Sequence, residues 1–276
     1  MNKRRPNYDY IISQINEVFS VKDIMTKTEE LKFAPDIDKG RQISQKCHYD
    51  IVPIGDSKNL HSYYNCKSDS LEDIAQGNLI SGNTGITALL SYLEKKEFYF
   101  VLEYTNIVGF VNTSDLKKLI SFLPIYVTSI YAEVAMRDFF RKEEAKHPGK
   151  ENFLQDLFSQ ILEATEKFRV GKNNDQKEIL NFKGLHERFK KAEREEFYTD
   201  IYDELNFSQE LAMYYFLKGR LSSKDDWDRI IRYKEIRNRT MHVKDQLLYK
   251  SAKENLKQIL EFLNECKKII EELSIT

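Results

Sequence analysis

The sequence predicts an α+β module over residues 1–118 followed by an all-α helical bundle over residues 119–276. Three observations carry this reading. Short runs rich in Val, Ile, Tyr and Phe, bounded by turn residues, occur only before Leu119, as β-strands require. The order helix, strand, turn, strand occurs there twice, roughly 49 residues apart, with Tyr49-Asp-Ile-Val answered by Tyr99-Phe-Val-Leu; a repeat of this length suggests a pseudo-symmetric pair. After Leu119 the strand signals vanish and apolar residues recur at helical spacing.

In chain order, the strand runs are His48–Ile54, Asn59–Tyr64, Phe98–Glu103 and Ile107–Val111. A helix over Ile86–Lys96 separates the two pairs, because Ile86, Leu89, Leu90 and Leu93 fall on one helical face. Pro124 suits the first turn of a helix that runs to about Lys146, where His147-Pro148-Gly149 ends it. A second helix covers Asn152–Phe168, and the polar stretch Arg169–Gly184 reads as a loop. Helices resume over His186–Leu205. Ser208 then offers an N-cap for a helix reaching Leu217 and closed by Gly219. Ser222-Ser223, with Asp225 and Asp226 in the first turn, starts a helix that turns Trp227, Ile230 and Ile231 inward and ends near His242. From about Lys250 a last helix stripes Ala252, Leu256, Ile259, Leu260, Leu263 and Ile270. The second half therefore holds four to six helices.

Length and composition narrow the function classes. The 276 residues, 32% charged and 41% hydrophobic, with mean hydropathy −0.58, suit one large or two ordinary globular domains rather than a disordered or membrane chain. No apolar run approaches the roughly 18 residues needed to span a bilayer. The opening Met-Asn-Lys-Arg-Arg-Pro-Asn-Tyr carries charge without an apolar core, so no secretion signal is expected and the cytoplasm is the expected compartment. Cys47, Cys66 and Cys266 form no CxxC pair and leave one thiol over, which suits a reducing compartment. Cys47, His48, His61 and Cys66 lack zinc-ligand spacing, so no metal is expected. A net charge of −1 argues against a chain-wide nucleic-acid binder, yet Arg229–Lys244 holds six basic residues and one acidic one. A solvated helix face and a local RNA contact both fit that run.

Val21-Lys-Asp-Ile-Met-Thr, Tyr49-Asp-Ile-Val-Pro-Ile and Gly109-Phe-Val-Asn-Thr-Ser-Asp-Leu together resemble a tandem pair of cystathionine-β-synthase-type (CBS) domains over about residues 18–118. The resemblance implies a β-α-β-β-α unit in each half and a cleft between the halves that takes an adenosine-type regulatory ligand. It places the ribose-binding acid on Asp115, with Asn112 and Thr113 beside it. Asn112 departs from the Thr or Ser of the family motif, and the first repeat has no such motif. A second reading also fits Asp115, as the cap of the helix that follows.

Residues 237–242 read Arg-Asn-Arg-Thr-Met-His. Arg followed by His after four to six residues occurs three times, at Arg41/His48, Arg141/His147 and Arg237/His242, so spacing alone decides nothing. Only the third has Asn after the Arg, a basic surround and an amphipathic helix following. With the helix from Pro124 that carries Tyr126, Tyr131, Glu133 and Arg137, this setting resembles the HEPN superfamily, in particular its abortive-infection-type members. The resemblance implies a metal-independent ribonuclease of a defence or toxin system, acting as a homodimer on RNA. His242 would be the general base on a ribose 2′-hydroxyl, Arg237 would hold the scissile phosphate, and Asn238 would orient His242 or bind phosphate. The competing reading is a non-catalytic interaction module in which His242 closes a helix.

Overall fold

A computed structural model describes residues 7–56, 60–118, 122–148, 152–166, 179–195, 200–241 and 252–274. The chain divides into two compact units, one of Met1–Pro124 with Asp245–Leu260 and one of Ile125–Lys244 with Glu261–Thr276.

The first unit opens with helix α1 (Tyr8–Val18), capped by Asn7, whose side chain accepts the Asp9 N–H. A two-residue strand β1 (Thr26–Lys27) and helix α2 (Ile37–Cys47) follow. Strands β2 (Ile51–Ile54), β3 (Ser62–Asn65) and β4 (Ser70–Asp73) form an antiparallel three-stranded sheet in that order. Strand β5 (Leu79–Ser81), helix α3 (Ile86–Lys95) and strands β6 (Phe98–Glu103) and β7 (Asn106–Asn112) build the second sheet. Its order is β1-β7-β6-β5, with β5 parallel to β6 and the remaining pairs antiparallel. The duplicated order is therefore real: α2-β2-β3 answers α3-β6-β7, and the parallel bridge of Ala34 to Ile54 answers the β5–β6 pairing.

The core of this unit is aromatic. Phe98, Phe100, Phe110 and Tyr63 cluster with ring centroids 5.4–6.0 Å apart, and each such contact adds about 0.5–1.5 kcal/mol beyond burial. Gly109 of the closing motif has a steric reason. A Cβ there would lie 2.6 Å from Met25 Sδ and 2.8 Å from the Thr26 carbonyl oxygen, so only glycine lets β1 pair with β7.

Two expectations for this unit shift, and three short strands join the expected ones. The run from His48 becomes a strand only at Ile51, because His48 adopts φ 56° as the left-handed cap that ends α2. The run from Asn59 becomes Ser62–Asn65, and Asn59 itself lies outside the described residues. Strands β1, β4 and β5, of two, four and three residues, are too short to show a period in sequence.

The second unit is helical. The described residues contain α4 (Leu123–Ala145), α5 (Phe153–Thr165), α6 (Phe182–Arg194), α7 (Phe207–Leu217), α8 (Lys224–Met241) and α9 (Ala252–Ser274), whose first part belongs to the first unit. Helix α7 is its centre: all nine residues from Phe207 to Tyr215 are buried, as expected of a helix packed on every side. Its cap is Asn206, not the expected Ser208. Asn206 Oδ1 accepts the Gln209 N–H, Gln209 Oε1 accepts the Asn206 N–H, and Ser208 is buried with its hydroxyl donated to Asn206. Gly219, at φ 65°, closes the helix as expected. The expected loop to Gly184 ends three residues early, since Asn181 caps α6 through the Gly184 N–H; residues 167–178 lie outside the described residues.

The Ser223 start of α8 holds: Asp226 Oδ2 accepts both the Ser223 N–H and its hydroxyl, and Ser223 Oγ accepts the Asp226 N–H. Trp227 and Ile230 are buried, while Ile231 is half-buried. In α9 the buried stripe runs Leu256, Ile259, Phe262, Cys266, Ile269, Ile270 and Leu273. It leaves Leu260 and Leu263 at its margin.

Candidate functional site

Two places concentrate chemistry, one in each unit. In the first unit a cleft of about 770 Å³ opens between the ends of α2 and α3 and strands β2, β3 and β7. Lys32, Lys67, Lys95 and Lys96 line it together with the rings of Tyr49, Phe98 and Phe110. Lys67 is tied to Glu97. Lys32 donates to Cys47 Sγ at 3.2 Å and lies 5.8 Å from the Tyr49 ring centre; the hydrogen bond to Cys47 raises its pKa. Lys96 lies 5.6 Å from the centre of Phe98. Cations beside aromatic faces suit an anionic ligand with a planar ring.

Asn112 and Thr113 reach the cleft wall, and Asp115 does not. Its carboxylate is buried, with Oδ2 accepting the Asn112 N–H at 2.9 Å and Oδ1 paired with Lys118 at 3.0 Å. Asn112 Oδ1 in turn accepts the Ser114 N–H and hydroxyl. The closing motif thus forms a capping box over the short 3₁₀ helix Thr113–Lys117. Among the described residues no group of three or more His, Cys, Asp or Glu side chains is placed to hold a metal.

In the second unit Arg237 sits on the last turns of α8. Its Nε donates to Glu133 Oε1 at 2.8 Å and its Nη2 to Glu133 Oε2 at 3.2 Å, a bidentate pair across 104 residues of chain. Glu133 is buried. One turn along α4, Arg137 approaches Glu133 Oε2 at 3.5 Å and donates through Nε to Glu210 Oε1 at 2.5 Å. Glu210, on α7, is fully buried, and its Oε2 has no hydrogen-bond partner among the described residues. The four groups make an alternating line: Glu210, Arg137, Glu133, Arg237. Burial pushes Glu210 up to about 8, against the pull of Arg137 and Arg237 and with the push of Glu133.

Arg237 Nη1 lies 3.5 Å from Asn238 Oδ1, so the structure brings those two predicted residues together. His242 lies outside the described residues. The two decoy pairs resolve as ordinary structure. Arg41 is held by Asp69 and Asp38, while His48 ends α2. Arg141 is clasped by Asp200 and Asp203, while His147 stacks on Phe153. The basic run is diluted in space: Arg229 approaches Asp226, Arg232 approaches Glu261 and Arg239 approaches Glu235, at 3.7–3.9 Å.

Glu133 and Arg137 lie on the helix expected of them, with contacts that no local pattern shows, and nothing in the sequence marks Glu210. Within Phe-Ser-Gln-Glu-Leu-Ala-Met that residue looks like any first-turn acid near a helix start.

No protein-family model matches this chain, and no curated protein matches it. A solved structure, the CBS domain of the bacterial CNNM/CorC family Mg2+ transporter in complex with ATP, aligns with 39% of this chain and 90% of that one. The identity is 17% and the TM-score 0.31. No helix among the described residues is long and apolar enough to cross a membrane.

Proposed function

We propose that this chain is a metal-independent endoribonuclease of the HEPN type, acting as a homodimer, with a nucleotide-responsive N-terminal module resembling a CBS pair. The observation that carries the reading is the bidentate grip of buried Glu133 on Arg237, which fixes a guanidinium beside Asn238 with Nη1 held only by a long 3.5 Å contact to Asn238 Oδ1. A preorganised cation of this kind stabilises charge on a phosphorane without reorganising during reaction. His242 takes the proton of the ribose 2′-hydroxyl, and the 2′-oxygen attacks phosphorus. The bond from phosphorus to the 5′-oxygen breaks, and that oxygen takes a proton from the second copy's imidazolium, which becomes neutral imidazole. The products are a 2′,3′-cyclic phosphate and a 5′-hydroxyl.

In the first unit an adenine nucleotide occupies the cleft, its phosphates among the four lysines and its base against Tyr49 or Phe98. Asn112 and Thr113 meet it from the wall, and Asp115 supports their turn. Gating of cleavage follows if the nucleotide binds the active and inactive arrangements with different affinity. A toxin or phage-defence effector fits such a device.

One observation favours a second reading, an interaction protein without catalysis: two of Arg237's three nitrogens are already spent on Glu133. Incubation of wild type, Arg237→Ala and His242→Ala with total RNA, with and without EDTA, separates the two. Cleavage that survives EDTA and is lost in both variants is expected. RNA left intact by wild type with and without ATP selects the interaction protein.

A further inference from the structure

Glu210 is the buried titratable group that the proposed chemistry leaves unused. It enters the network from α7, while Glu133 and Arg137 come from α4 and Arg237 comes from α8. Arg137 is the pivot. Its Nε faces Glu210 at 2.5 Å, its Nη2 faces Glu133 Oε2 at 3.5 Å and the Leu205 carbonyl at 3.3 Å, and its Nη1 lies 4.0 Å from Asp203. Arg237 Nη2 claims the same Glu133 oxygen at 3.2 Å. Two guanidiniums therefore share one carboxylate oxygen, and Glu210 draws one of them away. Cys266 of α9 is buried as well, and burial together with Glu265 and Glu133 keeps its sulfur a neutral thiol.

We propose that Glu210 is a positioning residue for Arg237, acting through Arg137 and Glu133. Ionised, Glu210 holds Arg137, and Glu133 grips Arg237 with both oxygens. Protonated, Glu210 lets Arg137 turn to Glu133, and Arg237 Nη2 is released towards a phosphate. The four charges sum to zero in the first state and to +1 in the second, so both effects favour an anion when the proton is on. Oε2, which has no hydrogen-bond partner among the described residues, is the oxygen open to the proton. This assignment rests on the reading of Arg237 as the phosphate-holding residue, but the state of the network can be observed without RNA.

The experiment follows the Arg237 Nε–H resonance by nitrogen-15 NMR from pH 6 to 9. The background is His242→Ala, so that no imidazole at residue 242 supplies an inflection, and Arg237→Lys provides the assignment. A single inflection is expected, absent from the His242→Ala/Glu210→Gln protein. In parallel, a single-stranded RNA oligonucleotide is expected to bind His242→Ala about tenfold more weakly at pH 8.5 than at pH 6.5. The Glu210→Gln double variant should keep the tighter value at both. An Arg237 resonance without an inflection in this range overturns the proposal, as does an inflection that persists unchanged in the Glu210→Gln double variant; the first result decides even if Glu210→Gln does not fold. Wild type that leaves RNA intact while the resonance still titrates removes the ribonuclease reading and leaves the relay standing.

Discussion

Two buried carboxylates, one in each unit, show how differently burial can be used. Asp115 is buried with every claim on it met: a backbone N–H on one oxygen and a lysine on the other. Glu210 is buried with one oxygen in a short ion pair and the other unmatched. A satisfied buried acid stabilises a turn, whereas an unsatisfied one keeps a proton near neutrality and couples it to its neighbours. The motif resemblance pointed at Asp115 for chemistry. The geometry ties that acid to its own turn, and the buried acid with an unmatched oxygen lies 95 residues further on.

The largest expected effect comes from breaking the line of charges. Removing one member of a buried, hydrogen-bonded ion pair leaves the other desolvated and costs about 3–5 kcal/mol. Glu133→Ala is expected to lower unfolding stability by that order, read from denaturant midpoints, and to abolish RNA cleavage. Glu133→Gln keeps the shape and one acceptor oxygen for the Arg237 Nε–H, and it should unfold less easily than the alanine variant. A Glu133→Ala protein as stable as wild type would show that the network is an exposed pair, worth under about 1 kcal/mol.

Next in size is the pH dependence that Glu210 imposes. Its carboxyl moves from an ordinary 4.5 up to about 8 in the folded chain. The folded state therefore keeps a proton that the unfolded state releases, and stability falls as pH rises between those values. The contribution is fully present below about 4.5 and lost above about 8, amounting to a few kcal/mol at most. Denaturant midpoints measured at pH 5 and pH 8 are expected to differ more for wild type than for Glu210→Gln. Equal differences would place the titration elsewhere.

How much of this was legible depended on whether the signal is local. Helix α3, the β6–β7 hairpin and the Ser223 start of α8 were readable, because periodicity, turn residues and caps all sit within a few positions. Ser208 misled because two capping residues lie two positions apart, and Asn206 wins by reaching the Gln209 N–H while Gln209 reaches back. The Arg237 neighbourhood was half legible: Asn238 is its sequence neighbour, but Glu133 is 104 residues away. Glu210 gave no signal at all, since its meaning comes from α4 and α8 closing over α7.

The smallest effect tests the other half of the comparison. Asp115→Ala removes an N-cap-type contact, whose loss typically costs about 1 kcal/mol. Lys118 then keeps its donations to the Ile24 and Met25 carbonyls. Because the carboxylate faces Asn112 and Lys118 instead of the cleft, ATP affinity is expected to change less than about threefold. Charge removal at the wall, in Lys67→Ala, should weaken ATP more than that, with Glu97 left as an unpaired anion facing the phosphates. Calorimetric titration of both variants ranks them. If Asp115→Ala proved the worse binder, the acid would reach the ligand after all, which requires Lys118 to let go of Oδ1 when the nucleotide arrives.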